Sequence, residues 1–298
     1  MTHSADLKSH SSNLELSVAE FNKISAILRD QAGITLADGG EKLVISRLTK
    51  QLSRLGLSSF SSYLKHVTSP AGADDLVRMV EAMTTNTTRF FREPEHFETL
   101  AEDAMPRIIR KARAGGRVRL WSAACSTGEE AYSIAATVLK SFPDVARYDV
   151  RILATDINHA VLAHGTAGQY ESRLASDIPP EMRNLMFEAD GEDDRVRIRS
   201  SLRELVTFRY LNFVEPWPVS GPFDIIFCRN VAIYMDEAMQ GRLWSGLESV
   251  LHDDGLLFIG HSERLGPGLS DRLQLFATTS FRRPQKISRS SYEQMEGR

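Results

Sequence analysis

The sequence predicts an α/β protein whose main domain is a doubly wound sheet, with a small all-helical domain before it and an inserted antiparallel β-subdomain. Three observations favour this class. Apolar residues near the amino terminus recur at helical spacing, the later chain alternates short apolar runs with helical patterns, and one polar stretch interrupts that alternation. With 298 residues and 42% hydrophobic content, the chain is long enough to bury two cores.

The helical domain is predicted over residues 17–83. One helix contains Phe21 to Leu28 and ends at Gly33, and a second contains Leu43 to Leu55 and ends at Gly56. Two shorter helices are predicted at Ser59 to Val67 and Asp74 to Met83. Residues 1–16 are polar and are expected to be flexible.

The α/β domain is predicted over residues 84–284, with residues 285–298 as a disordered tail. Short apolar runs predict buried parallel strands at Arg117–Ser122, Asp149–Thr155, Phe223–Cys228 and Gly255–Gly260, and Gln274–Arg283 resembles a final antiparallel strand. Helical patterns separate several of them, at Thr127–Phe142, Asn158–His164 and Glu237–Leu251. The β-insertion is placed at about residues 170–204, where a polar turn precedes an alternating Arg-Val-Arg-Ile-Arg segment.

Composition excludes several functional classes. The 36 basic and 39 acidic residues give a net charge of only -3, so no global field attracts nucleic acid or anionic lipid. No apolar stretch approaches the roughly 20 residues that cross a bilayer, and the polar start lacks a signal-peptide pattern. Cys125 and Cys228 lack metal-ligand spacing, which predicts no metal site. We expect a cytoplasmic protein that neither binds nucleic acid nor inserts into a membrane.

The loop after the first strand is the predicted cofactor loop, because ligands of doubly wound sheets bind beyond the carboxyl ends of the strands. It contains one glycine, Gly128, followed by Glu129 and Glu130 at the start of a helix. Two acids there would repel a phosphate and attract a cation such as a sulfonium with an α-amino group. The alternative is that both are ordinary first-turn residues favoured by the helix dipole.

The second strand ends at Asp156, next to the position that a ribose would occupy. Acidic residues at this position hydrogen-bond ribose hydroxyls in nucleotide-type folds. The alternative role for Asp156 is to cap the helix that follows.

Four motifs in order resemble those of the CheR family of chemotaxis receptor methyltransferases. They are Thr84–Arg92 (TTNTTRFFR), Trp121–Glu130 (WSAACSTGEE), Phe227–Tyr234 (FCRNVAIY) and Gly260–Glu263 (GHSE). The resemblance covers nearly the whole folded chain and implies a class I S-adenosylmethionine methyltransferase fold. It also implies a protein-glutamate O-methyltransferase, which transfers methyl groups from S-adenosylmethionine to glutamate side chains of methyl-accepting chemotaxis receptors. The products would be glutamate methyl esters and S-adenosylhomocysteine.

The resemblance also implies the site residues. Cofactor contacts fall on Asn86, Thr88, Arg92, Glu130, Asp156, Asn212, Phe213, Arg229 and Asn230. Arg92 and Tyr234 are expected on the substrate side as catalytic residues, and whether Arg92 holds the carboxylate of the cofactor or of the substrate stays open. Ala131 stands where the family commonly has proline, a change that a first helical turn tolerates. His261 is expected to form a structural hydrogen bond, because methyl transfer to an ionised carboxylate needs no general base.

Arg47, Lys50 and Arg54 lie at i, i+3 and i+7 and make one basic helix face. In the family this helix contacts the acidic methylation helices of the cytoplasmic receptor bundle, which favours substrate binding over an ordinary solvated face. The β-insertion of some relatives captures a peptide from the receptor's carboxyl terminus by strand addition. Arg195, Arg197 and Arg199 are compatible with that role and equally with a solvated strand edge.

Two rival functions remain from the sequence. One is a class I methyltransferase acting on another substrate, against which the Cys228–Val231 segment counts, because amino-methyltransferases of bases have an Asn/Asp-Pro-Pro-aromatic motif there. The other is a non-catalytic sensor or scaffold that binds S-adenosylmethionine or its product.

Overall fold

The computed structural model describes residues 14–191, 194–266, 268–269 and 271–284, and these divide into two compact units, residues up to 85 and residues from 86. Residues 1–13 of the predicted flexible amino terminus and the predicted tail at 285–298 lie outside the described residues. None of the described helices is long and apolar enough to cross a bilayer.

The first unit is helical. Ser17 begins its first helix with a reciprocal capping box, because its hydroxyl accepts from the Glu20 backbone N–H while the Glu20 carboxylate accepts from the Ser17 backbone N–H. Gly33 ends that helix in the left-handed conformation, as predicted. The helices are α1 (Val18–Ala32), α2 (Glu41–Arg54), α3 (Phe60–Val67) and α4 (Ala73–Met83).

The second unit holds a seven-stranded sheet and a separate three-stranded antiparallel sheet. Its helices are α5 (Pro94–Thr99), α6 (Met105–Arg113), α7 (Glu129–Ser141), α8 (His159–Ala167), α9 (Pro180–Met186), α10 (Ser200–Arg203) and α11 (Glu237–Val250). Its strands are β1 (Val118–Ala123), β2 (Val150–Asp156), β3 (Gln169–Glu171), β4 (Phe187–Ala189), β5 (Arg195–Ile198), β6 (Val206–Tyr210), β7 (Phe223–Cys228), β8 (Leu251–Ile259), β9 (Gln274–Ala277) and β10 (Ser280–Arg282).

The large sheet has the order β6-β2-β1-β7-β8-β10-β9, in which the first five strands are parallel. The order reverses between β1 and β7, which is the switch point where doubly wound folds bind ligands. Ala123 is level with Thr155 of β2 and Cys228 of β7, so the three strands end at one edge of the sheet. The loops that follow them therefore meet there.

Side chains from the two faces of the sheet build two cores. Leu120 of β1 packs on the core that contains α7, whereas Trp121 packs on the core that contains α11. The indole N–H of Trp121 donates to the Thr155 hydroxyl at 2.9 Å, so this buried donor is satisfied. The fully buried apolar strands are those expected of a parallel sheet covered on both faces.

Three sequence expectations differ from the structure. The segment 274–283, predicted as one strand, is the hairpin β9–β10, because the chain turns at Thr279 with a φ of 45°. Residues 94–113, for which no helix was predicted, form α5 and α6 joined by the π-helical turn Leu100–Ala104. The β-insertion pairs β3-β5-β4 as an antiparallel sheet, but it also contains α9 and α10.

Candidate active site

The loop after β1 uses left-handed backbone to direct the start of α7 towards the sheet edge. Ala124, Ser126 and Gly128 have φ values of 66°, 50° and 99°. Two of the three carry side chains, and such conformations persist only where the surrounding structure fixes them. The turn is held by the Cys125 backbone N–H, which donates to the Thr155 carbonyl at 2.8 Å.

Glu130 is the acid of the pair that faces the crevice. Its Oε1 accepts from the Ser122 hydroxyl at 2.7 Å, and its Oε2 lies 3.4 Å from Nη1 of Arg229. Burial raises the pKa of Glu130, and Arg229 and the Ser122 hydroxyl offset part of that rise. The structure separates Glu130 from Glu129, whose carboxylate accepts from the Thr127 hydroxyl at 2.6 Å.

Asp156 ties together the loops that follow β1 and β2. Its Oδ2 accepts from the Ser126 backbone N–H at 2.9 Å and its Oδ1 from the Asn158 backbone N–H at 3.0 Å. Burial raises the pKa of Asp156, while these N–H donors lower it. The cap of α8 is Asn158, whose side chain accepts from the backbone N–H of Ala160. Asp156 is thus buried at the end of β2 without being the cap of α8.

The loop after β7 is shaped by Glu263. Its carboxylate accepts from four backbone N–H groups, those of Asn230, Val231, Ala232 and Gly260, at 2.6 to 3.0 Å. A Cβ at Gly260 would lie 2.5 Å from Nδ2 of Asn230, so the chain needs glycine there. The motif at 260–263 therefore acts on the site by fixing the positions of Arg229 and Asn230.

Arg229 is a buried guanidinium shared by two carboxylates. Its Nη2 lies 3.3 Å from Oε2 of Glu93, and its Nη1 faces Glu130. It also donates to the Arg92 carbonyl, and its guanidinium carbon lies 5.8 Å from the ring centroids of both Phe97 and Phe227, which stack on each other. Among the described residues, the Arg229 Nε–H has no hydrogen-bond partner.

Glu93 is the site residue that the sequence analysis missed. Its Oε1 accepts from Nδ1 of His261 at 2.8 Å and from Nδ2 of Asn230 at 3.3 Å. His261 thus forms a hydrogen bond to Glu93, and its structural role stays a prediction. The sequence could have indicated Glu93 only by its position, because it directly follows the Thr84–Arg92 motif and precedes Pro94.

The segment that carries the predicted cofactor residues Asn86, Thr88 and Arg92 makes contacts through its backbone carbonyls. The Arg92 side chain donates to the Thr87 carbonyl at 3.2 Å, and its carbonyl accepts from Arg229. The Asn86 carbonyl accepts from the Ser126 hydroxyl at 2.8 Å. Thr88, half-buried, lies in the same segment.

Asn212 and Phe213 follow β6 and form a turn of their own. The Asn212 side chain accepts from the Val214 backbone N–H at 3.2 Å, and the Phe213 ring packs against Trp217 at 5.6 Å. Tyr234 is half-buried in the short 3-10 helix Ala232–Tyr234, which Glu263 anchors. The structure thus brings Glu130, Arg229 and Asn230 into one cluster. It places Asn212, Phe213 and Tyr234 on other loops of the same unit.

The three basic residues predicted on α2 are not equivalent. Arg47 donates to the carbonyls of Met83 and Thr84, at 2.7 and 2.6 Å, and so joins the end of α4 to α2. Arg54 pairs with Asp75 of α4. Lys50 is exposed. Two of the three cations therefore have partners within the helical unit.

The charged and hydrogen-bonding side chains of the crevice suit a cation and a ribose. Glu93 and Glu130 carry two negative charges when ionised, against the single positive charge of Arg229. The carboxylate of Asp156 is a further buried hydrogen-bond acceptor. Such a site would repel a pyrophosphate and accept the sulfonium, amino group and hydroxyls of S-adenosylmethionine. Across the described residues, no group of three histidine, cysteine, aspartate or glutamate side chains is arranged to hold a metal ion.

Comparison with known proteins gives a family match for each of the two units. Residues 86–282 match the family described as CheR methyltransferase, SAM binding domain, and residues 19–84 match the CheR methyltransferase all-alpha domain. A probable chemotaxis protein methyltransferase of Rhizobium etli is 46% identical over 242 residues, covering 80% of this chain and 90% of the relative. The chemotaxis protein methyltransferase of Escherichia coli is 39% identical over 253 residues, covering 84% of this chain and 86% of the relative. The chain belongs to the CheR methyltransferase family and takes S-adenosylmethionine as its cofactor.

Proposed function

We propose that this protein transfers the methyl group of S-adenosylmethionine to glutamate side chains of methyl-accepting chemotaxis receptors, giving glutamate methyl esters. The observation that carries the proposal is the buried cluster in which Glu93 and Glu130 share Arg229 beside the carboxyl ends of β1 and β7. It supplies negative charge for a sulfonium in a member of this family. We place the reaction in the cytoplasm, where the receptors' methylation helices lie.

The chemistry asks the protein for alignment and desolvation. The cofactor supplies an electrophilic methyl group on a positively charged sulfur. A glutamate substrate, with an ordinary pKa of about 4.3, is ionised at neutral pH and needs no general base. Holding two reactants in line can contribute roughly 7 to 11 kcal/mol to lowering the barrier.

We assign these tasks to residues of the crevice. Glu130 holds the cationic part of the cofactor, and Asp156 accepts from the ribose hydroxyls. Arg92 and Tyr234 face the substrate, where the Arg92 guanidinium can hold a carboxylate with its paired donors. Asn86, Thr88, Asn212, Phe213 and Asn230 line the remainder of the cofactor site.

The test is methyl transfer from labelled cofactor to the cytoplasmic fragment of a chemotaxis receptor. Glutamate esters release labelled methanol in base, whereas N-methylated products keep the label. Glu130→Gln is the matched control, because it removes charge at nearly constant size. Cofactor binding without transfer to any receptor fragment would favour the sensor or scaffold, and label stable to base would favour another substrate.

We further propose that α2 contacts the acidic methylation helices of the receptor. We choose Lys50 for the test because its side chain is exposed, whereas Arg47 and Arg54 are engaged by partners in their own unit. Lys50→Glu is expected to weaken receptor binding several-fold, more at low salt than at high salt. Lys42→Glu is the matched control, since Lys42 is exposed on the same helix but outside that face. Equal effects of the two variants would contradict the assignment.

A further inference from the structure

Tyr170 is a buried residue of the β-insertion that reaches the cofactor loop. It lies in the middle of β3, is 2% exposed, and its hydroxyl donates to the Thr127 carbonyl at 2.7 Å. Thr127 belongs to the loop between β1 and α7, just before the helical turn that contains Glu130. A strand of the small three-stranded sheet therefore contacts the loop on which the cofactor site is built.

Glu129 holds the same threonine by its other polar group. The buried Glu129 carboxylate accepts from the Thr127 hydroxyl at 2.6 Å. With Tyr170 on its carbonyl and Glu129 on its hydroxyl, Thr127 is fixed at two polar atoms. The acid that the structure separates from Glu130 thus acts on the conformation of the loop.

The residues on either side of Thr127 have left-handed backbone. Gly128 has a φ of 99°, and a Cβ there would lie 3.0 Å from the Tyr170 hydroxyl oxygen. Ser126 has a φ of 50°, a conformation that a residue with a side chain keeps only where neighbouring groups fix it. Tyr170 is one such group, because it packs against Gly128 and binds the carbonyl between the two residues.

The β-insertion also packs on segment 86–92, which carries three of the predicted cofactor residues. Phe90 of this segment is buried, and its ring meets those of Tyr170 and Phe187 edge-on, with centroids 5.1 and 5.3 Å away. Phe187 is the first residue of β4, so two strands of the insertion contact the segment. Edge-on aromatic pairs favour one defined arrangement of the rings. The insertion thus borders two segments of the cofactor site.

We infer that Tyr170 is a positioning residue for the cofactor: its hydroxyl, together with the Glu129 carboxylate, fixes Thr127 and holds the cofactor loop in the conformation that binds S-adenosylmethionine. This role deepens the proposed function and rests on its placement of the cofactor in the crevice. A loop that already has its binding conformation loses less conformational freedom when the ligand binds, so the affinity is higher. The β-insertion then supports the cofactor site directly.

The test compares two variants that each lose one buried tyrosine hydroxyl. Tyr132→Phe is the matched control for Tyr170→Phe, because Tyr132 is also buried and its hydroxyl donates to the Gly165 carbonyl of α8, likewise at 2.7 Å. Calorimetry on the full-length protein gives the dissociation constant of S-adenosylhomocysteine, and urea unfolding gives the stability. We expect Tyr170→Phe to raise this dissociation constant about five-fold and Tyr132→Phe to change it by less than about two-fold, with similar losses of stability.

Methyl transfer to a receptor fragment adds a readout that a general loss of packing would not give. Tyr170→Phe should raise the KM for S-adenosylmethionine about five-fold, while kcat at saturating cofactor and the KM for the receptor fragment stay within about two-fold of wild type. A fall in kcat with an unchanged KM for the cofactor would contradict the assignment.

The outcomes separate this inference from the proposed function. A wild-type protein that binds neither form of the cofactor overturns both. A wild-type protein that binds cofactor but methylates no receptor glutamate overturns the proposed function, and the binding comparison still decides the role of Tyr170. Unchanged affinity in Tyr170→Phe, or an equal loss in Tyr132→Phe, overturns that role alone.

Thr127→Val decides the question should Tyr170→Phe fail to fold. It keeps the shape of the side chain and removes the hydrogen bond from the Thr127 hydroxyl to Glu129. The dissociation constant of S-adenosylhomocysteine should again rise about five-fold, and an unchanged value refutes the inference.

Discussion

Strand β7 carries a buried charge at its amino-terminal end and another just beyond its carboxyl-terminal end. Asp224, 1% exposed, accepts from Nζ of Lys111 at 2.7 Å and from the Arg119 backbone N–H at 3.0 Å, and it lies 3.5 Å from Nη1 of Arg107. Arg229, also 1% exposed, is placed between Glu93 and Glu130 and leaves its Nε–H unsatisfied among the described residues.

The two clusters differ in how fully their charged groups are paired within the protein. Both oxygens of Asp224 have donors within the protein, and the flanking cations are about a quarter exposed and so reach water. The Arg229 cluster is enclosed and keeps an excess of negative charge. A buried ion whose partners are complete stabilises the fold, whereas an incomplete set of partners marks the end of the strand where a ligand of opposite charge binds.

Asp224→Asn should produce the largest change in stability. It leaves Lys111 and Arg107 without their shared carboxylate and places an amide N–H₂ group among cations. Removing one partner of a buried pair typically costs 3–5 kcal/mol, and the partial exposure of both cations reduces this to about 3 kcal/mol. Urea unfolding measures the loss, and cofactor affinity should stay within about two-fold of wild type. A variant as stable as wild type would contradict the structural role.

Glu130→Gln should show the opposite pattern. We expect cofactor affinity to fall about 100-fold, because a charged acceptor facing a sulfonium is lost, while the free energy of unfolding changes by less than about 1 kcal/mol. Burial raises the pKa of Glu130, so the folded state already penalises its charge and gains when the charge is removed. Calorimetry and urea unfolding on the same preparation check both halves. Comparable losses of cofactor affinity and of unfolding free energy would contradict the assignment of a binding role to one end of β7 and a structural role to the other.

Sequence patterns predicted the middle strands of the large sheet well because these strands are largely buried on both faces. Phe223–Cys228 was predicted with both of its observed ends, since a continuous apolar run bounded by polar residues has few other interpretations. The predicted start of α7 was two residues early because Gly128 adopts a left-handed conformation that periodicity does not encode. The final hairpin was missed because its turn at Thr279 contains no glycine or proline and is fixed by the contact between His96 and the Thr279 hydroxyl.

The site was only partly predictable for a related reason. Glu130 and Asp156 directly follow apolar strands, so their place at the sheet edge could be read from neighbouring residues. Glu93 precedes a proline in a polar segment, which is typical of an exposed loop, and its burial depends on partners more than 130 positions away. The partners of Arg47 and Arg54 likewise lie on another helix, so the sequence could not show that these cations are engaged.

His96 offers a smaller test of the carboxyl-terminal end of β7. It is fully buried, and burial together with the nearby Arg229 lowers its pKa to about 4, despite the opposing effect of Glu93. Below its ordinary pKa of 6.5, the unfolded chain takes up a proton that the folded protein excludes, so stability falls as the pH drops from 6.5 towards 4. Between pH 7 and 5 this contribution amounts to about 2 kcal/mol. His96→Gln should remove it and flatten the profile from urea unfolding, and an unchanged slope would show that His96 protonates freely in the fold.

The smallest expected effect is a proton released when the cofactor binds. Burial raises the pKa of Glu130, so in mildly acidic solution this carboxyl group of the free protein carries a proton more often than an exposed glutamate does. A sulfonium stabilises the ionised form and lowers that pKa again, so its binding expels the proton and its affinity rises with pH. S-adenosylhomocysteine lacks the charge on sulfur and should release less. Calorimetric enthalpies measured near pH 6 in buffers with different ionisation enthalpies give the proton count for each compound. Equal proton counts would mean that the charge on sulfur does not change the protonation of the acids in the crevice. The electrostatic distinction between the two ends of β7 would then be wrong.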